Sequence, residues 1–368
     1  MKTSIDRIRQ IIFIAIISLL SLSGALSLIL IPAARYSDSE RRSLKQIPSL
    51  TQKNLSTGTF MSDFETFAQD QFLYRDGFRK IKAAFSKYVF NVSDNHGYFI
   101  NDGFIYKLDN AVIPAGINAN IARFNTIYSQ HLKDTDCKIY LSIIPDKNYF
   151  LTGKIIPKID YKDLVSQIRN NTAFAEYIDI FPQLKLDSYY KTDQHWKQTE
   201  IMPVAEQLAS SMDFPITTDF TEKELPRPFY GTYYGQSARS VKPDTLKYLD
   251  SPVFNDVTVT SYNTDSAKPS YVYDMKKAEG RDPYEMFLSG SDALLTIENL
   301  SSLTDRELVI FRDSFGSSIT PLLINSYSKI TLVDLRYLNL NLLGQYLKFK
   351  DQDVLFLYST LVLNSTTR

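Results

Sequence analysis

The sequence predicts an α/β protein: a doubly wound parallel sheet with helices on both faces, behind an N-terminal transmembrane helix. Three observations predict it. Short apolar runs at Lys138–Ile144, Leu308–Phe311, Ile330–Val333 and Val354–Tyr358 read as strands buried on both faces. Stretches whose apolar residues recur at helical spacing alternate with those strands. One uncharged run, Ile11–Ile31, would form a helix about 31 Å long, enough to cross the hydrocarbon layer.

Taken in order, residues 1–10 read as a cytoplasmic tail, because Lys2, Arg7 and Arg9 precede the apolar run. Residues 11–31 are the span. Ser23-Gly24-Ala25 offers a cleavage site, but a signal peptide has a shorter apolar region of roughly 7–15 residues. An uncleaved anchor is therefore expected, a single pass with the C-terminal body outside the cell membrane. Residues 32–90 read as a polar linker and two amphipathic helices, carried by Phe60, Phe64 and Phe67 and by Phe78, Ile81, Phe85 and Val89. Residues 91–368 follow as the main domain. In it Asp102-Gly103, set between apolar runs, marks a hairpin. A helical stretch from Ile117 to Leu132 leads into the first buried strand. Residues 222–299 are strand-rich and tyrosine-rich with Gly231 and Gly235, and read as an insertion that shapes a cleft.

Composition removes several functions. Lys and Arg number 41 against 41 Asp and Glu in 368 residues, with no long basic run, so a nucleic-acid partner is not expected. The single cysteine, Cys137, allows neither an internal disulfide nor a cysteine-based zinc cluster. His96, His131 and His195 lie in unrelated contexts, so no metal site is expected. The 24 Tyr and 23 Phe against one Trp suit either a bulky core or a wet, sugar-like ligand surface.

Two segments can carry chemistry. In Lys191-Thr192-Asp193-Gln194-His195-Trp196, an acid stands two residues before a histidine. A carboxylate at that range fixes the imidazole tautomer and stabilises the imidazolium that forms when it takes a proton. A surface loop with a hydrogen-bonded histidine reads the same way. The second segment is the strand Leu308–Phe311 running into Arg312-Asp313-Ser314-Phe315-Gly316, with a helix behind it. The carboxyl end of a strand in an open α/β sheet is where ligands bind, and a helix amino terminus suits an oxyanion. Ser314 as a plain N-cap fits that position too. It is not the G-x-S-x-G elbow of α/β-hydrolases. The Ser289-Gly290-Ser291-Asp292 cluster lacks the apolar strand leading in.

These segments and others resemble, in order, the DHHW family of SGNH-hydrolase-like proteins, relatives of the alginate O-acetyltransferases AlgX and AlgJ. Glu40-x-Arg42-x-Leu44 with Pro48 resembles the opening motif. Gln71-Phe72-Leu73-Tyr74-Arg75-Asp76 resembles the F-P-F-R-D segment, with Leu73 in place of proline. The Gly97–Tyr106 hairpin and Ile144-Pro145-Asp146-Lys147-Asn148 match further blocks. Thr192-Asp193-Gln194-His195-Trp196 matches the signature, with Gln194 where the second histidine stands. Asp313-Ser314-Phe315-Gly316 and Asp334-Leu335-Arg336-Tyr337 match the closing blocks.

The resemblance implies an SGNH-like (flavodoxin-like) fold, Ser314 as nucleophile, His195 as general base and Asp193 as the acid that orients it. The Ser314 and Gly316 N–H groups would hold the oxyanion. Lys147 and Arg336 are candidates for positioning substrate, an ion pair with Asp334 being the other reading of Arg336. Tyr233, Tyr234 and Phe229 are candidates for a sugar cleft, core packing being the alternative. The function implied is O-acetylation of an exported or cell-envelope polysaccharide. No cofactor is expected; the acetyl group would come from a membrane-bound O-acyltransferase (MBOAT) partner. An acetylesterase with the same three residues, and a non-catalytic glycan-binding assembly subunit, are the alternatives.

Overall fold

The computed structural model describes residues 2–152, 158–262 and 267–366. The chain divides into two compact units, Met1–Tyr98 with Tyr234–Ser240, and Phe99–Tyr233 with Val241–Arg368.

The first unit begins with the helix Lys2–Leu30 and continues through helices Thr59–Asp70 and Arg75–Phe90. Its polar interior is built from ion pairs. Arg42 meets Asp70 at 2.5 Å, and Glu40 accepts from Arg75 and lies 3.3 Å from Arg79. Asp70 also accepts from the Lys45 N–H at 2.8 Å, so this nearly buried carboxylate has fixed donors on two sides.

The second unit is a sheet of eight strands: β1 (Lys138–Ile144), β2 (Glu176–Tyr177), β3 (Val257–Ser261), β4 (Lys268–Ser270), β5 (Leu294–Asn299), β6 (Glu307–Arg312), β7 (Lys329–Val333) and β8 (Asp353–Ser359). Their spatial order is β4-β3-β5-β7-β6-β8-β1-β2. Pairings from β7 through β6, β8 and β1 to β2 are parallel. Those of β4 with β3, β3 with β5 and β5 with β7 are antiparallel. The sheet is therefore mixed, a correction to the all-parallel expectation. The reason is connection length: only residues 300–306 separate β5 from β6, too few for the crossover that would start β6 in the same direction, so β5 runs opposite to β6 and to β7, the parallel partner of β6 that lies between them.

Both faces are covered, as the unbroken apolar runs require. Leu308 and Ile310 of β6 pack on one face with Val204, Ala205 and Leu208 of the helix Met202–Met212. Val309 and Phe311 pack on the other with Phe124 and Ile168 of helices Pro114–Ile127 and Tyr161–Asn171. The hairpin Tyr98–Asn101 to Phe104–Lys107 turns on Asp102 and Gly103, both with positive φ, the backbone that an Asp-Gly turn of the primed type supplies.

Strand β6 is central. Its outgoing connection leads to β7 on one side, and the next strand, β8, returns to its other side. The carboxyl end of β6 thus lies at a point where chain connections diverge, the place in such sheets where a crevice forms. Ser314 opens the short helix Ser314–Ile319 there.

Candidate active site

Asp313 prepares the position of Ser314. Its Oδ1 accepts from the Phe315 N–H at 3.0 Å as an N-cap, and its Oδ2 accepts from the Ser359 N–H and hydroxyl at 2.8 and 2.6 Å. One buried carboxylate therefore ties the carboxyl end of β6 to that of β8. The Ser314 N–H meets no hydrogen-bond acceptor among the described residues.

His195 comes from the other segment and reaches the same point. Its Nε2 lies 2.7 Å from Ser314 Oγ, and its Nδ1 lies 2.6 Å from Asp193 Oδ1. With the proton on Nδ1 donated to Asp193, Nε2 is the ring's lone-pair acceptor and the Ser314 hydroxyl donates to it. Asp193 is fully buried, and its carboxylate also accepts from the N–H groups of His195 at 3.0 Å and Thr232 at 2.7 Å. Donors on both oxygens fix the carboxylate plane, which in turn fixes the imidazole. Gly231 makes room for this: a Cβ there would stand 2.2 Å from Asp193 Cβ.

The next residues lock the histidine to the nucleophile's own helix. Trp196 Nε1 donates to Ser318 Oγ at 2.8 Å, and Gln198 Nε2 donates to Ser318 O at 2.8 Å. Tyr284 lays its ring on the imidazole, 3.9 Å between centroids and 9° from parallel, while its hydroxyl meets Ser318 Oγ at 2.8 Å. Phe315 packs at 4.9 Å from the imidazole. His195 is consequently only 5% exposed, and its ring has little freedom to leave the line between Asp193 and Ser314.

The structure brings Asp193, His195 and Ser314 together and places the other three site candidates, Lys147, Gly316 and Arg336, in contacts of their own. Lys147 is buried, and its Nζ donates to the carbonyl oxygens of Tyr190, Lys191 and Asp193 at 3.0, 3.3 and 2.7 Å. All three ammonium donors are thus engaged with the loop that carries Asp193, leaving none for a substrate. Burial pulls this amine down to about 7, against the attraction of Asp193, Asp244 and Asp146. The Gly316 N–H is likewise engaged, donating to Asp313 O at 3.1 Å. Its lack of a side chain serves packing, since a Cβ would stand 2.7 Å from Arg312 Cβ. Arg336 holds Asp334 through Nε at 2.9 Å and Nη2 at 2.6 Å, the ion-pair alternative. Asp334 also lies 3.5 Å from the buried Arg312.

The aromatic candidates divide similarly. Phe229 and Tyr233 are buried, Phe229 edge-on to Tyr190 at 4.9 Å and Tyr233 under the Lys147 ammonium at 4.9 Å. Tyr234 falls in the first unit. Ser289 bonds Ser270 and Asp274 at 2.9 and 3.2 Å rather than any histidine. Among the described residues no group of three His, Cys, Asp or Glu side chains is placed to hold a metal ion.

Sequence reasoning missed Tyr284, the Thr232 N–H and the role of Lys147 as a clamp. Gly231 was the one available signal, a glycine amid tyrosines whose partner 38 residues earlier only the fold reveals.

The family model described as "DHHW protein" matches residues 169–333, a span that contains Asp193, His195 and Ser314. A DHHW family protein from Eubacterium siraeum is similar in structure, with 20% identity, a TM-score of 0.61 and coverage of 74% of this chain and 93% of that one. Bacillus cereus PatB1, solved with a sulfonyl adduct, is 18% identical with a TM-score of 0.59, covering 73% of this chain and 96% of that one. A second structure of PatB1 gives 18% identity and a TM-score of 0.60, covering 73% and 98%. At these identities the likeness is one of fold. No curated protein matches the chain by sequence. Residues 169–333 therefore match the DHHW family model, on an α/β fold similar to that of these solved proteins.

Proposed function

We propose that this chain is a membrane-anchored, extracytoplasmic O-acetyltransferase on an SGNH-like scaffold, which passes an acetyl group through Ser314 to hydroxyls of an exported or cell-envelope polysaccharide. The observation that carries the proposal is the unbroken relay from Asp193 through His195 to Ser314, at 2.6 and 2.7 Å. The ordered DHHW motifs support acetyl as the group transferred. The apolar helix with cationic residues before it supports a signal anchor at Ile11–Ile31 and a body outside the cell membrane.

In the proposed reaction Ser314 Oγ attacks the carbonyl carbon of an acetyl donor while His195 Nε2 takes the hydroxyl proton. Asp193 stabilises the imidazolium without itself being protonated. The oxyanion is met by the Ser314 N–H. Collapse expels the donor's leaving group, which takes the proton from His195, and leaves acetyl-Ser314. A sugar hydroxyl then gives its proton to His195 and attacks the acetyl carbon; Ser314 leaves and recovers the proton. Water in the sugar's place gives the esterase outcome, and the close packing of Tyr284 and Phe315 around His195 favours transfer by limiting water at the base. Acetyl donors made from cytoplasmic acetyl-CoA cannot reach the body directly, so a membrane-bound O-acyltransferase is the proposed supplier.

The test is to incubate detergent-solubilised full-length protein with an activated acetyl ester, with and without acceptor oligosaccharides, beside Ser314→Ala. Acetyl on sugar that depends on Ser314 is expected. Release to water alone across a broad acceptor panel would favour the esterase. Equal, negligible turnover in both folded proteins would contradict an enzymatic role.

A further inference from the structure

The helix Arg75–Phe90 is built the wrong way round for a core helix. Helices normally bury their apolar stripe. Here Phe78, Ile81, Phe85, Tyr88 and Val89 are all exposed, Ile81 at 64% and Tyr88 at 80%. At 100° per residue they fall within one stripe about 100° wide. The opposite side carries Arg75 and Arg79, which turn inward to Glu40, and Ala83, the helix's one buried residue. The helix is also strongly basic, with Arg75, Arg79, Lys80, Lys82 and Lys87 against Asp76 alone. Lys82, exposed, borders the apolar stripe beside Val89, while the exposed Lys80 and Lys87 stand towards the side of Ala83.

The same unit fixes this stripe beside the apolar N-terminal helix. Gly24 packs so closely under the Phe72 ring that a Cβ would stand 2.3 Å from Phe72 Cε2. The Phe72 ring meets Phe78 edge-on at 5.6 Å between centroids. Gly24 lies six residues before Leu30, the last residue of the apolar helix, or about 9 Å inside its end. Phe72 and Phe78 are thereby held beside the carboxyl-terminal part of the apolar helix. Continuity with the span indicates lipid as the occupant rather than protein, with Lys82 at the border of the stripe placed to meet an anionic headgroup while acyl chains answer the stripe.

We propose that Arg75–Phe90 lies in the plane of the membrane surface, with Phe78, Ile81, Phe85 and Val89 in the headgroup–acyl boundary and Lys82 on anionic lipid. The proposal rests on the anchor in the reading above and is independent of the acetyl-transfer chemistry. Such a second contact would limit how far the chain can swing from the bilayer.

The test uses full-length protein in vesicles on a Cys137→Ser background, with spin labels placed singly through Ile81→Cys, Phe85→Cys, Lys80→Cys and Leu300→Cys. Leu300 is the reference, exposed at 97% in the other unit. Collision with oxygen reports lipid and collision with a water-soluble nickel chelate reports solvent. At 81 and 85 oxygen accessibility should exceed nickel accessibility, the order reversing at 80 and 300. Adding phosphatidylglycerol to phosphatidylcholine vesicles should deepen the labels at 81 and 85. Nickel-accessible labels at all four positions would overturn the proposal. Shielding of 81 and 85 from both reagents would show a protein cover and also overturn it. Release of the chain from vesicles by an alkaline wash would contradict the span and the proposal with it. The Ser314-dependent assay separates any of these failures from failure of the chemistry.

Discussion

His195 Nε2 stands 2.7 Å from Ser314 Oγ, although 119 residues of chain separate the two. The contact joins the Thr192–Trp196 loop to the carboxyl end of the central strand β6, and Trp196 and Gln198 fasten the same loop to Ser318. Replacing Ser314 or His195 by alanine should lower acetyl transfer by on the order of 10⁴-fold or more while the fold survives. Initial rates with an activated acetyl ester, read beside circular dichroism, check this.

Asp193→Asn separates geometry from charge. Asparagine fits the same space, but its amide competes for the tautomer that leaves Nε2 free to accept from Ser314. The expected loss is about 10⁴-fold in turnover with little change in unfolding midpoint. A loss below tenfold would mean that Asp193 only fills space.

Gly231→Ala tests how closely the backbone must approach the acid. The added Cβ would stand 2.2 Å from Asp193 Cβ, so either the loop or the carboxylate must move. Overpacking of this kind costs roughly 1–3 kcal/mol, and a shift of about 1 Å in a reacting group costs on the order of 10²-fold in rate. Turnover should therefore fall further than stability alone explains, which parallel denaturant titration and kinetics will show.

Lys147 predicts a pH dependence of stability. Burial lowers its value from the ordinary 10.5 to about 7, so between these limits the unfolded chain binds a proton that the folded chain lacks. Stability from this group should rise as pH rises from 7 towards 10, at up to about 1.4 kcal/mol per pH unit. Cys137, whose thiol burial pushes up from 9.0, opposes the rise in the upper part of that window. Comparison with Lys147→Met isolates the lysine. Urea unfolding from pH 7 to 9 should show a smaller slope with pH in the variant, whatever its absolute stability.

Much of this architecture is written locally. The strands Lys138–Ile144, Glu307–Arg312, Lys329–Val333 and Asp353–Ser359 coincide within a residue or two with apolar runs, because strands covered on both faces need side chains that are apolar without interruption. The Asp102-Gly103 hairpin is equally local, its turn set by backbone preference. The direction of β3, β4 and β5 was not legible, since pairing sense depends on which neighbour a strand meets. The candidate site divides along the same line. Asp193, His195 and Ser314 stand in motifs that mark them, whereas Tyr284 reaches His195 from 89 residues away. Lys147 looks like a substrate cation in sequence because its partners are carbonyl oxygens, which no side-chain pattern reveals.

The most direct measurement of the central claim is peptide mass spectrometry after brief exposure of full-length protein to an activated acetyl ester. Trapped acetyl should reside on the peptide that contains Ser314, be absent in Ser314→Ala, and disappear when acceptor oligosaccharide is added as acetylated sugar forms. A folded wild-type protein acetylated at Ser314 no more than in the His195→Ala variant, with no sugar product, would contradict the account.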